Sequence, residues 1–139
     1  MSEENKKIVR EFVEVCQTRH DLGRMSDFIS SEFVNHTVMS PFAPTLEGAM
    51  ELHEMLIAAF PDMKMVIRDM IAEGDKVVTY KTLQGTHQGD FIGIAPTGKR
   101  VESDIIDIMR VADGKCVEHW HVMDVLGLMM QLGAVSLPG

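Results

Sequence analysis

The stretch that decides the fold is Val101-Glu-Ser-Asp-Ile-Ile-Asp-Ile-Met-Arg-Val-Ala-Asp-Gly-Lys-Cys-Val-Glu-His-Trp-His-Val-Met-Asp124. Two runs rich in Val and Ile flank the pair Asp113-Gly114, and an Asp-Gly pair supplies the positive φ that a tight hairpin turn requires. The stretch therefore predicts two antiparallel strands joined at this pair. Titratable side chains lie inside these otherwise apolar strands: Asp107, His119 and His121. Because burial of such groups costs free energy, we interpret them as parts of a functional site.

The geometry of the turn determines which of these side chains share a face. A three-residue loop, with Gly114 at the left-handed bulge position, pairs Val111 with Lys115. Side chains alternate along a strand, so this loop gathers four of them on one face, namely Asp107, Met109, His119 and His121. A two-residue turn instead pairs Ala112 with Lys115 and sends Asp107 to the face opposite the histidines. We favour the bulged loop, because it brings together polar groups that can satisfy one another.

Helices are predicted ahead of the strands. Ser2 can cap a helix that runs to about Arg19 with one apolar stripe, and a short second helix is predicted around residues 25–29. Residues 32–37 then form a brief extended piece. Thr45 is a plausible N-cap for a third helix, which Pro61 stops.

The remaining segments complete an α+β pattern. Residues 63–72 and 76–83 predict adjacent antiparallel strands, and the glycine-rich residues 85–98 predict a strand extension followed by a loop. A final helix over residues 125–132 ends at Gly133. We expect a single domain, residues 1–139, in which helices cover one face of a curved, four-stranded antiparallel sheet and enclose a pocket.

Composition excludes several classes of function. The net charge is −8, and the 13 Lys and Arg residues are not clustered, which argues against nucleic acid and anionic membranes as partners. The N-terminus lacks the apolar segment of a signal peptide, so we expect a cytoplasmic protein. Cys16 and Cys116 belong to no CxxC pair and are expected to be buried free thiols.

Four motifs carry a resemblance to a known family. They are Gly85-Thr-His-Gln-Gly-Asp-Phe-Ile-Gly-Ile-Ala-Pro-Thr-Gly-Lys99, Met109-Arg-Val-Ala-Asp-Gly-Lys115, Glu118-His-Trp120 and Leu126-Gly-Leu-Met-Met-Gln-Leu-Gly133. Together they resemble the SnoaL-like polyketide cyclases (ester cyclases) of the NTF2-like superfamily, over nearly the whole chain. The resemblance implies a cone-shaped fold and an intramolecular aldol closure that uses no cofactor. It also implies an Asp acid/base on the last strand and a His on the strand before it.

The catalytic pair departs from the family pattern. His121 stands where the family has its Asp, and Asp107 stands where the family has its His. We predict that His121 is the base and Asp107 its orienting partner. Asp124, three residues further on, is the alternative acid/base.

We expect the rest of the pocket to bind a small apolar carbonyl compound. The predicted substrate-binding residues are His36, His119, Met109, Phe33, Phe60, Phe91 and Tyr80. A hydrogen-bonded network without turnover, in a protein that only binds its ligand, stays open as an alternative. A ketosteroid-isomerase-like enzyme ranks lowest, because it needs a pocket tyrosine and a protonated Asp, and Tyr80 is the only tyrosine.

Metal binding is a further alternative. His119 and His121 have the spacing that places two imidazoles on one strand face, and Asp107 or His36 could complete three ligands. Because the resembled family works without metal, we predict no metal and no cofactor.

The opposite face of the hairpin is predicted to carry Trp120 and Cys116. An apolar outer sheet face in a small domain predicts a homodimer. Arg110 is expected to pair on this face with Asp104 or Glu118. Three further histidines are predicted to be solvated, namely His20, His53 and His87.

Overall fold

A computed structural model describes residues 2–138 and shows helices packed on one face of a five-stranded sheet. The helices are α1 (Ser2–Phe12), α2 (Met25–Phe28), α3 (Leu46–Ala59) and α4 (Val125–Gln131). The strands are β1 (Ile29–Asn35), β2 (Lys64–Glu73), β3 (Lys76–Thr86), β4 (Arg100–Ala112) and β5 (Lys115–Met123). The α+β class and the helix-covered sheet predicted from the sequence are therefore confirmed.

The sheet has the order β1-β5-β4-β3-β2. Strands β2 to β5 pair antiparallel, as predicted, but β1 adds a fifth strand that runs parallel to β5. The prediction of a purely antiparallel four-stranded sheet was therefore wrong. The short extended piece after α2 is longer than expected, and it alternates buried Phe33 and Asn35 with the exposed Val34.

The β4–β5 hairpin has the turn that we did not favour. Asp113 and Gly114 adopt φ values of 51° and 79°, and Ala112 pairs with Lys115 across a two-residue turn. Both central residues of such a turn need positive φ, and its twist matches that of the flanking strands. The three-residue loop was therefore the wrong prediction.

A β-bulge at Val117 nevertheless gives the predicted face. Val111 pairs with Cys116, and the next pair is Arg110 with Glu118, so Val117 is an extra residue on β5. One extra residue reverses the side-chain alternation beyond it. Asp107 therefore lies opposite His121, and both share the inner face with Met109 and His119.

The same bulge changes the position of Cys116. Its side chain is fully buried in the core rather than on the outer face, where Trp120 lies as predicted. Burial raises the pKa of the Cys116 thiol to about 12 and that of Cys16 to about 11. Both cysteines are free thiols, as predicted.

The first helix changes geometry at its end. The predicted helix to Arg19 consists of α1 followed by a π-helical segment, Val13–Thr18, in which the backbone N–H of Arg19 donates to the carbonyl of Glu14 at 3.0 Å. A π turn contains one more residue than an α turn. It buries Gln17 next to Cys16, on the side of the helix that faces the sheet.

The predicted ends of α3 and α4 are confirmed. The Thr45 hydroxyl accepts a hydrogen bond from the Gly48 backbone at 3.2 Å, and Gly133 follows α4 with a φ of 78°. No helix within residues 2–138 combines the length and the apolar character that a bilayer crossing requires.

The loop between β3 and β4 folds back onto the end of α3. The backbone N–H groups of Gln88 and Gly89 donate to the carbonyl of Ala59 at 2.9 and 3.1 Å. A side chain at Gly89 would collide with the Ala58 carbonyl, since an added Cβ would lie 2.0 Å from its oxygen. This packing buries His87 completely, so the prediction of a solvated loop histidine was wrong.

Candidate functional site

A cavity of about 220 Å³ lies between the helices and the inner face of the sheet. Its walls are apolar and comprise Met39, Leu52, Leu56, Met65, Phe91, Ile92, Ile105, Met123 and Val125. Its polar lining, called the polar floor below, comprises Gln17, His53, Lys81, Asp107, His119 and His121. Three wall residues that remain partly solvent-exposed, Met39, Ile92 and Val125, mark the mouth of the cavity. An apolar cavity with a few convergent polar groups is typical of a small-molecule site.

Four of the predicted site residues line this cavity, namely Asp107, His119, His121 and Phe91. Three others are core residues that support the site. Phe33 stacks on the His119 ring at 6.3 Å, and Phe60 lies against Phe91 at 5.3 Å. Met109 is buried opposite His119 in the hairpin. These three residues were predicted to contact substrate, but they are not among the residues that line the cavity.

His36 and Tyr80 lie on the outer face of the sheet. The His36 ring stacks on Trp120 at 4.7 Å, and its Nε2 lies 2.8 Å from a carboxylate oxygen of Glu118. The Tyr80 hydroxyl points to Asp104 at 3.4 Å. Both residues were predicted to bind substrate, and both predictions were wrong because the strand alternation turns these side chains away from the pocket.

Asp124 lies beyond the end of β5 and is exposed. Its carboxylate accepts a hydrogen bond from the Gly127 backbone at 2.9 Å, so it caps α4. A capping carboxylate satisfies a backbone N–H that has no partner within the helix. The alternative role of Asp124 as acid/base is therefore not supported by its position.

Asp107 is 4% exposed and contacts the side chains of Lys81 and His119. Its Oδ2 lies 2.5 Å from Nζ of Lys81, and its Oδ1 lies 2.6 Å from Nε2 of His119. Burial alone raises the pKa of this carboxyl, but Lys81 and His119 outweigh it and hold the pKa well below its usual range. Asp107 is therefore an ionised group that accepts hydrogen bonds. The predicted hydrogen bond to His121 is absent among residues 2–138, because the carboxylate is used by Lys81 and His119 instead.

His121 is bound by Thr37 instead. The Thr37 Oγ1 lies 2.8 Å from Nδ1 of His121 and accepts the backbone N–H of the same residue, also at 2.8 Å. Nε2 of His121 thus remains for a ligand, since it has no hydrogen bond to any part of the chain that is described. Burial, and secondly the charge of His119, lower the pKa of His121 below 6.5. The imidazole is therefore neutral near pH 7 and can accept a proton.

Three polar residues of the floor were not predicted as site residues. Nζ of Lys81 donates to Oε1 of Gln17 at 2.8 Å, and Nε2 of Gln17 lies 2.9 Å from Nε2 of His53. Nδ1 of His53 donates to the carbonyl of Ala49 at 2.7 Å. Burial lowers the pKa of His53 to about 4, so this ring is neutral. The prediction of a solvated His53 was wrong, because α3 turns it toward the pocket.

The histidines of β5 form a stacked pair. The rings of His119 and His121 lie 5.0 Å apart and are inclined by only 8°. In residues 2–138 no group of three His, Cys, Asp or Glu side chains is arranged to hold a metal ion. His36, one of the ligands considered from the sequence, faces the other side of the sheet.

Comparison with known proteins assigns the family. Residues 7–132 match the family described as SnoaL-like polyketide cyclase. The chain belongs to this family. Family membership confirms the resemblance that the sequence motifs indicated, including the α+β cone of the NTF2-like superfamily.

Among curated relatives of this SnoaL-like chain is the aklanonic acid methyl ester cyclase DauD of Streptomyces sp. (strain C5). It is 31% identical over 138 residues, which cover 91% of this chain and 80% of the relative. The nogalonic acid methyl ester cyclase of Streptomyces nogalater is 37% identical over 60 residues, which cover 43% of this chain and 45% of the relative.

A solved structure shows the same fold. AclR from Streptomyces galilaeus, a proposed hydroxylase, superimposes with a TM-score of 0.87 and 31% identity over 100% of this chain and 91% of its own. The fold is thus shared by proteins with different proposed activities, so the activity of this chain must be argued from its own pocket.

Proposed function

We propose that this SnoaL-like protein catalyses an intramolecular aldol-type ring closure of an apolar carbonyl compound by acid/base chemistry, without a cofactor. The observation that carries the proposal is the environment of His121. Its imidazole lines the cavity, its pKa is lowered, and its Nδ1 is held by Thr37 so that Nε2 can receive a proton. The relatives that are ester cyclases support this reaction class.

The proposed reaction balances with the groups of the pocket. Nε2 of His121 removes a proton from a carbon next to a carbonyl group, which leaves an enolate and an imidazolium. The enolate carbon attacks a second carbonyl of the same molecule and forms the new C–C bond. The resulting alkoxide takes the proton back from His121. The product is an isomer of the substrate, and a base near neutral pKa is suited to both proton transfers.

The remaining pocket residues bind and orient the substrate. The apolar walls exclude water from the enolate and favour an apolar substrate. Thr37 fixes the ring of His121, because its hydroxyl contacts both the backbone and Nδ1 of that residue. Asp107 acts through Lys81 and His119 and forms no hydrogen bond with His121.

The test is turnover of the compounds named for the relatives. Purified protein is incubated with aklanonic acid methyl ester and, separately, with nogalonic acid methyl ester, and chromatography with mass spectrometry detects a product of unchanged mass. We expect His121→Ala to fold and to lose activity by about 10²–10⁴-fold, the usual contribution of one acid/base group. His36→Ala, on the outer sheet face, is the matched control and should retain activity.

Two outcomes would contradict the assignment of the base. Full activity of His121→Ala would remove its proposed role. Loss of activity in Asp124→Asn, which keeps a side chain able to cap α4, would move the role to the end of β5.

The alternative of a ligand-binding protein without turnover has one observation in its favour. Every polar residue of the floor forms a hydrogen bond with another residue of the described chain, which is what a purely structural network requires. Tight binding of both esters with no product from either would favour this alternative. The ketosteroid-isomerase-like alternative lacks support, because Tyr80 lies on the outer face and Asp107 is ionised.

A further inference from the structure

The polar floor contains two runs of hydrogen bonds joined by the ion pair of Lys81 and Asp107, and each run ends at a backbone group. One end is the carbonyl of Ala49 on α3, and the other is the backbone N–H of Thr37 after β1. A backbone carbonyl only accepts and a backbone N–H only donates. The two ends therefore determine the donors and acceptors as far as Lys81 on one side and Nδ1 of His119 on the other.

From the α3 end, the order of donors and acceptors is determined residue by residue. Nδ1 of His53 carries the proton that is donated to Ala49, so its Nε2 accepts a hydrogen bond from the Gln17 amide nitrogen. The amide of Gln17 is thereby oriented with its oxygen toward Lys81. The ammonium of Lys81 then contacts Oδ2 of Asp107 at 2.5 Å.

From the β1 end, the order of donors and acceptors shows which nitrogens of His119 carry a proton. The backbone N–H of Thr37 donates to Oδ1 of Asn35 at 3.2 Å, so this oxygen is an acceptor. Nδ1 of His119, 3.1 Å from the same oxygen, must therefore donate. Nε2 of His119 faces the ionised carboxylate of Asp107 at 2.6 Å and must also donate. An imidazole that donates from both nitrogens is a cation.

We propose that His119 is held as an imidazolium, that Lys81, Asp107 and His119 form a triad of net charge +1 at the polar floor, and that this surplus charge makes the pocket select apolar ligands in their anionic, enolate-like form. The inference deepens the proposed reaction at the same pocket by assigning His119 the charge that stabilises the enolate. Both cations belong to the floor, because Lys81 and His119 line the cavity.

The surroundings of the triad strengthen its effect. Lys81 and Asp107 are 3% and 4% exposed, and the walls next to them are apolar. A charge in such an environment interacts more strongly with a ligand than the same charge in water. The stacked His119 cation also opposes protonation of His121, which keeps the base in its reactive form.

The first experiment measures the protons directly in the wild-type protein. Long-range ¹H–¹⁵N spectra of protein labelled with ¹⁵N-histidine, recorded at pH 7.5, distinguish a ring with two protonated nitrogens from a neutral ring. We expect the imidazolium pattern for His119 and the neutral pattern for His53 and His121, each assigned by loss of its signals in a Gln variant. A neutral His119 would overturn the proposal.

The second experiment measures charge selection with a matched pair of probes. The probe 2-hydroxy-1,4-naphthoquinone is a coloured anion at pH 7.5 whose charge is spread over carbonyl oxygens, and its methyl ether, 2-methoxy-1,4-naphthoquinone, is neutral and of similar shape. We expect calorimetric titration to show that the anion binds about tenfold more tightly than the ether, or more. A tenfold difference in affinity requires only a small fraction of the interaction energy of two close charges. Equal affinity, or no binding of the anion, would contradict the proposal.

Variants connect this preference to the triad. His119→Gln keeps a donor toward Asp107 but removes the surplus charge, so the preference for the anion over the ether should disappear. His36→Gln makes the same change on the outer face and should leave the preference unchanged. If His119→Gln fails to fold, Lys81→Met removes the other cation and should have the same effect. A preference that survives removal of either cation would overturn the proposal.

Neither experiment depends on turnover. A chain that shows the imidazolium and the anion preference but converts neither methyl ester would retain the charge assignment and refute the proposed reaction. A chain that converts an ester while His119 is neutral would support the proposed reaction and refute the charge assignment.

Discussion

The protonation of His121 sets the pH dependence of the pocket. Its pKa is lowered by burial and by the neighbouring His119, and only the neutral ring can act as a base. The active form is therefore fully present above this pKa and is lost as the pH falls through it. The acid limb of kcat/KM, measured over a pH series with an ester substrate, should have its inflection below 6.5. An inflection above 7 would show that the base is a different group.

Asp107 is expected to matter for stability as well as for chemistry. Asp107→Asn keeps the shape of the side chain but leaves the buried Lys81 and the partly buried His119 without their counter-charge. Removal of one partner from a buried ion pair costs about 3–5 kcal/mol. Urea titrations should show this loss, whereas Asp113→Asn should be nearly neutral, because Asn also tolerates the positive φ of the turn. An unchanged midpoint for Asp107→Asn would mean that the cations lose their charge in the variant.

Single residues also show how far the sequence could predict the site. Asp107, His119 and His121 were visible as titratable groups in apolar strands. Lys81 is also a titratable group in an apolar strand, because it lies on the same face of β3 as the buried Val77 and Leu83. It was not recognised from the sequence. The partners of Asp107 could not be predicted, since they depend on distances across three strands.

At the scale of elements, two local irregularities position the pocket residues. The π-helical segment after α1 turns Gln17 toward the sheet, and the bulge at Val117 turns the two histidines inward. Helices and strands were predicted from regular periods of 3.6 and 2 residues, which contain no information about a single extra residue. The elements were therefore predictable, whereas the residues at these two points were not. The turn prediction failed for this reason. The predicted set of inward-facing side chains was right only because the bulge reverses the alternation that the two-residue turn sets.

The bulge gives a prediction at this scale. Deletion of Val117 restores a regular β5 after the two-residue turn, which turns His119 and His121 outward and Trp120 into the core. We expect a loss of about 4 kcal/mol or more, because packing and buried polar contacts are lost together. Val117→Ala keeps the residue count and should remain folded with an intact pocket. Thermal unfolding of both variants provides the comparison, and a deletion variant as stable as wild type would contradict the role given to the bulge.

At the scale of the whole molecule, the outer sheet face is apolar where an antiparallel sheet usually presents polar side chains to water. Its exposed residues include Ile71, Tyr80, Ile106 and Val122, and the register places Ile106 between Tyr80 and Val122. Arg110 pairs with Glu118 on the same face, as predicted. We propose that a second copy of the chain covers this face across a two-fold axis, because such an axis buries one apolar patch against an identical one.

The homodimer is tested by sedimentation. The wild-type protein should sediment at micromolar concentration with twice the mass of the chain. Val122→Lys places a charge in the proposed interface and should shift the protein to monomer. Leu137→Lys, at a similarly exposed apolar residue outside the sheet, should leave the dimer intact. A wild-type protein that sediments only as a monomer would remove the proposal.

The two irregularities also bear on how such a pocket can arise in evolution. A gain of one codon in the first helix and of one codon in the last strand is sufficient to turn existing polar side chains from solvent toward the interior, without any change of residue type. The chain before each insertion keeps its packing, whereas the side chains that follow the insertion change face. Two relatives can therefore differ in the residues that line the pocket while their regular elements superimpose closely.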